Sequence, residues 1–168
     1  MSERVEVVVD SLRVSLTNQY RIILLKEKEG VLSLPLFVGQ FEAEAIVLSL
    51  QEIEISRPQT HDLILSTVRK LSGRILDVEI TRMNAATYFA EMHIMDADEN
   101  EISIDCRPSD AIAIALRAHA PIYVSAPTME EYGIQPEPDV RSNKKEKPNG
   151  TEPDEDDLSA FSDFLSNF

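Results

Sequence analysis

Three short stretches of the chain hold residue types that do chemistry. "RPQTHDL" brings an imidazole and a carboxylate side by side, His61 and Asp62, the pair most often used for metal binding or general acid–base work. "CRPSDAIAIAL" puts Arg107, Ser109 and Asp110 at the mouth of an apolar run, where unpaired helix amides can hold phosphate oxygens or a metal-bound water. "GQFEAEAI" sets Glu42 and Glu44 in the first turn of another apolar segment. Two apart on a helix, they point in different directions, so one of them can face inward. Glu44, Asp62 and Asp110, with His61 nearby, make an oxygen and nitrogen donor set suited to Mg²⁺ or Mn²⁺. Each residue also has a plainer account: first-turn acids favour the helix dipole, His61 can cap a helix, and Pro108 suits a first helical position.

Other chemistries lack their residues. "DADENE", residues 96–101, begins like a calcium loop, but Glu101 stands where glycine is required and Arg107 replaces the closing glutamate, so it reads as a hairpin turn. The chain has no Gly-rich phosphate loop, no Cys-His zinc spacing and no nucleophile elbow. His93 lies within a strand pattern and His119 at a helix end, and Cys106 reads as a strand-end hydrophobe. A lone cysteine forms no internal disulfide, and no charged-then-apolar signal opens the chain, so a cytoplasmic, reducing compartment is expected. Apolar runs stay well short of the roughly 20 residues of a membrane span, so a soluble protein with no membrane partner is expected.

Charge constrains partners. The net charge is -14, and it divides evenly: residues 1–126 carry 12 Lys and Arg against 19 Asp and Glu, and residues 127–168 carry 4 against 11. A protein gripping many phosphates should carry a basic stripe, and none is visible in sequence. A bound divalent cation can reverse the local sign, so a nucleic-acid partner stays open.

The elements that must position these residues follow from periodicity. "VEVVVDSLRVSL", "QYRIILLKEKEG" and "VLSLPLFVG" alternate as three strands. A helix is predicted from about Phe41 to Gln51, and a second over Thr60 to Leu71 with Thr60 as N-cap and Gly73 as its stop. "RILDVEITR", "ATYFAEMHIM" and "EISIDC" form a three-strand meander, Pro108 opens a third helix that Ala120-Pro121 ends, and "IYVS" is a last strand. The expected class is α+β: a mixed, largely antiparallel sheet with three helices. Residues 44–50 align with residues 110–116 at an offset of 66, which suggests a duplicated β-β-β-α unit. The alternative is that any two buried helices look alike.

Beyond residue 126 the composition turns Pro-rich and charged. Residues 127–157 read as an acidic linker too poor in apolar surface to offset its ordering entropy. Residues 158–168 regain a helical period, with Leu158, Phe161, Leu165 and Phe168 on one face. So short a helix is marginal alone and needs a partner.

"LPLFVGQFEAEAI", "RPQTHDL" and "RPSDAIAIALRAHAPIYVS", in this order and spacing, resemble the bifunctional nuclease family of bacterial and plant proteins, over about residues 4–126. The resemblance implies cleavage of both DNA and RNA, an activity attributed to plant members. The family's recurrent blocks fall on Glu42 and Glu44, on Thr60, His61 and Asp62, and on Arg107 to Asp110. Two functions follow as expectations. In the first, Glu44, Asp62 and Asp110 hold Mg²⁺ or Mn²⁺, His61 activates or orients water, and Arg107 stabilises the developing charge on a DNA or RNA phosphate. In the second, the chain is a non-enzymatic homo-oligomeric binding or regulatory module, a dimer being favoured, whose C-terminal helix docks onto a protein partner.

Overall fold

Strand alternation decides which side of the sheet becomes the core. In the computed structural model, which describes residues 3–14 and 21–135, the chain runs β1 (Arg4–Val14), β2 (Arg21–Glu27), β3 (Ser33–Val38), α1 (Gln40–Leu50), α2 (Thr60–Lys70), β4 (Arg74–Asn84), β5 (Thr87–Met95), β6 (Glu101–Cys106), α3 (Pro108–Ala118), β7 (Ile122–Ser125) and α4 (Ala126–Tyr132). Val78, Ile80, Ala90, Met92, Ile122 and Val124 are buried, while their strand neighbours Asp77, Glu79, Glu91, His93 and Tyr123 point to the opposite face.

Seven strands form one sheet in the order β3-β2-β1-β7-β4-β5-β6. Each pairing is antiparallel except that of β7 with β4. The two meanders β1-β2-β3 and β4-β5-β6 are therefore joined by β7, which lies antiparallel to β1 and parallel to β4. Each meander leads into a helix, α1 after the first, with α2 following it, and α3 after the second. Helix α3 is the most enclosed: Ala111, Ile112, Ala113, Ile114 and Ala115 are all buried, because α3 packs on β4 and β5 and also against α1 and α2. Alternating alanines let those neighbours approach closely.

Four helices stand among the described residues, where the sequence pattern predicts three. The additional one, α4, occupies the first residues of the stretch read as linker. Seven residues are too few to show a period, and Pro127 looks like a breaker; yet proline is tolerated in a first helical turn, and Thr128 and Met129 are buried. The chain then bridges back to the sheet edge, where Ile134 and Ser33 exchange both backbone hydrogen bonds at 2.8 Å. The rest of the predicted linker, from residue 136, and the predicted terminal helix over 158–168 lie outside the described residues.

Two helix boundaries also differ. Gln59, not Thr60, is the N-cap of α2. After α2 the left-handed residue is Ser72, φ 61°, rather than Gly73; a Cβ at Gly73 would lie a tight 3.1 Å from the Met95 carbonyl oxygen. No helix among the described residues is long and apolar enough to cross a membrane.

Candidate functional site

The starts of three helices meet at one cleft of about 400 Å³. Phe41, Glu42 and Glu44 reach it from the first turns of α1, Thr60 and His61 from α2, and Arg107 and Asp110 from the N-cap and first turn of α3. Neither Gly39 before α1 nor Arg107 before α3 makes a side-chain capping hydrogen bond. First-turn amides of both helices thus lack a side-chain acceptor, and their partial positive charge favours an anion there.

Asp110 is the hub. Its Oδ2 accepts from Arg107 Nε at 2.8 Å, and its Oδ1 accepts from the same guanidinium at 3.1 Å and lies 3.1 Å from His61 Nε2. Burial pushes the Asp110 carboxyl up, but hydrogen bonds from Arg107 and His61, reinforced by their charges, outweigh it and hold its pKa below the ordinary aspartate value. An ionised carboxylate only accepts, so the Nε2 of His61 that faces Asp110 carries a proton, which in a neutral ring leaves the lone pair on Nδ1. His61 is itself buried, at 8% exposure. Arg107 also spans to α1, with one terminal nitrogen 2.9 Å from Glu42 Oε1, while its side chain stays 66% exposed. Glu44 accepts from Gln40 Nε2 at 3.1 Å.

Asp62 turns elsewhere. Its Oδ1 accepts from Arg117 Nε at 2.8 Å and its Oδ2 from the Gln59 backbone at 2.8 Å, while Arg117 also donates to Gln59 Oε1 and the Ala113 carbonyl at 2.9 Å. It lines a separate hollow with Leu116 and His119. Ser109 is buried in the first turn of α3 and is not part of the cleft wall. Cys106, at the end of β6, is no ready nucleophile: burial, with help from Asp110, Asp105 and Glu91, pushes its thiol up to about 11.

Among the described residues, no three His, Cys, Asp or Glu side chains are grouped to hold a metal ion. Glu44 and Asp110 share the cleft, and both oxygens of Asp110 are already engaged by Arg107 and His61. Phe41, a large exposed side chain in this wall, is not among the residues the sequence motifs single out; an apolar residue in a helix pattern reads as core, and only its orientation shows otherwise.

A profile of the bifunctional nuclease domain matches residues 23–137. The chain belongs to the bifunctional nuclease domain family. An uncharacterized protein of Mycobacterium tuberculosis is 34% identical over 160 residues, covering 95% of this chain and 92% of that protein. Bifunctional nuclease 2 of Arabidopsis thaliana is 31% identical over 106 residues, 61% of this chain and 32% of the plant protein. Bifunctional nuclease 1 of Oryza sativa subsp. indica is 29% identical over 133 residues, 76% of this chain and 40% of its own length. The chain thus spans less than half of these two plant bifunctional nucleases. The helix starts that form the cleft all lie within the matched span.

Proposed function

We propose that the chain is a cytoplasmic phosphodiesterase that hydrolyses DNA and RNA at the cleft between the starts of α1, α2 and α3, with the help of Mg²⁺ or Mn²⁺. The observation that carries this reading is the His61–Asp110–Arg107 contact, assembled from two helices in a cleft whose walls include uncapped helix starts. Asp110 holds the imidazole in one tautomer and stabilises its cation, as a carboxylate does for a histidine base. His61 Nδ1 takes the proton of the attacking water. Arg107, already paired with carboxylates, offers its exposed guanidinium to the non-bridging oxygens as charge develops. Glu44 and Asp110 would be the residues to hold a divalent cation, which would neutralise phosphate charge there. That matters because the cleft holds three carboxylates, Glu42, Glu44 and Asp110, and one guanidinium.

The test is cleavage of a labelled single-stranded oligonucleotide by highly purified protein in Mg²⁺, Mn²⁺ or EDTA. Cleavage should require metal and fall at least about 100-fold in His61→Ala, the loss expected for a general base. Undiminished cleavage by that variant overturns the assignment.

A second reading, a homo-oligomeric module, draws on Leu63 and Leu71, which are 62% and 72% exposed on and just after α2. Light scattering of the wild type and of Leu63→Ser/Leu71→Ser decides it: a single mass common to both proteins removes this support.

A further inference from the structure

We propose that Phe41 is a stacking platform for a nucleobase, and that the cleft therefore selects single-stranded over duplex nucleic acid. This rests on the phosphodiesterase reading of the same cleft. Phe41 is 79% exposed, the most exposed of the large apolar side chains among the described residues, although Ala43, Ala45 and Ile46 of the same helix are buried. A phenylalanine in water forgoes one of the larger contributions that a side chain makes to a core. Its position gives it something else to meet. The next residue, Glu42, holds the Arg107 guanidinium at 2.9 Å, so an aromatic face and a cation stand in one cleft wall. That pairing matches a nucleotide, in which a flat base is attached to a phosphate.

Two further points favour a single strand. Bases in a duplex are stacked on each other and offer only their edges, whereas an unpaired base offers its face. A duplex also carries about one charge per 1.7 Å, twice the line density of one strand, and the three carboxylates beside Arg107 penalise the denser charge.

The chain contains no tryptophan, so Phe41→Trp introduces a single indole reporter. Full-length Phe41→Trp is titrated in Mg²⁺ with a phosphorothioate single strand, with its duplex, and with an abasic strand of the same length. The intact single strand should quench the emission saturably and bind roughly tenfold more tightly than either control, within the range of aromatic stacking. In parallel, Phe41→Ala should raise KM for a single strand roughly tenfold with little change in kcat, and Phe41→Tyr should restore it. Equal affinity for the abasic strand overturns the proposal. So does emission that responds to protein concentration instead of to the strand, which would mean that a second copy covers Phe41. Wild-type cleavage with an unchanged KM in Phe41→Ala removes the stacking role and leaves the phosphodiesterase standing. Base-dependent quenching without any cleavage does the reverse.

Discussion

His61, Asp110 and Arg107 in the helix layer, and His93, Asp77 and Arg4 on the far face of the sheet, are the same three residue types in the same order of contact. In the first set the imidazole lies 3.1 Å from the carboxylate and the guanidinium grips it at 2.8 and 3.1 Å. In the second the corresponding distances are 2.6, 3.0 and 3.3 Å. Their surroundings differ. Arg4 lies 4.0 Å over the Tyr123 ring and reaches Glu79 at 3.7 Å, and beyond His93 a further link runs through Glu91 to Ser103 at 2.6 Å. Five strands contribute, and the groups pair with one another across the sheet face. The starts of α1 and α3 instead border a hollow and bring amides that no N-cap side chain accepts from. Residue type alone does not tell the two sets apart; the uncapped starts of α1 and α3 beside the first set do.

The sharpest way to break this comparison is to neutralise both hubs. Asp110→Asn should cut oligonucleotide cleavage about 1,000-fold, through the lost tautomer control of His61, whereas Asp77→Asn should leave kcat/KM unchanged. Equal losses would erase the distinction. Next, Arg107→Gln should lower kcat about 100-fold, as for removal of one transition-state donor, while Arg4→Gln leaves it alone. Stability should divide the other way. Asp77→Ala, which strands His93 and Arg4 without their acceptor, should cost roughly 1–3 kcal/mol in urea unfolding, more than Asp110→Ala at its better solvated site.

The smallest effect is in acid. The folded Asp110 pKa is depressed, so the stability it contributes is present above its unfolded value of about 3.9 and is lost as pH falls through the folded value. Asp110→Asn should therefore flatten the acid limb of a Tm-against-pH profile below about pH 4. A limb as steep as that of the wild type would place the titrating group elsewhere.

Strand alternation and the helix-start residues were legible because they are local. Asp110 in the first turn of α3 and Glu42 in that of α1 could be placed by counting from glycine and proline, whereas Glu44, expected in the same turn as Glu42, falls in the next one because α1 starts at Gln40. Which member of the His61–Asp62 pair faces the cleft could not. Neighbours on a helix diverge by about 100°, and the choice is made by α3, where Asp110 meets His61 and Arg117 meets Asp62. Those partners lie 49 and 55 residues away, and nothing in "THDL" signals them. Phe41 and α4 were hidden for the converse reason. Each reads as an ordinary local pattern, an apolar helix position and a proline-rich start of a linker, until packing leaves one out and draws the other in through Met129.

The four-residue strand β7 has a consequence for how the chain is made. More than a hundred residues separate the end of β1 from the start of β7, yet β7 is the strand that covers one edge of β1 and one edge of β4. A ribosome adding about 5–20 residues per second releases the first meander on the order of ten seconds before that cover exists. Through this interval β1 is a long strand with an open edge, the state in which neighbouring nascent chains zip together. Slower translation beyond residue 38 should therefore lower the yield of this chain, since β7, the last strand in chain order, is the clasp that ends the exposure.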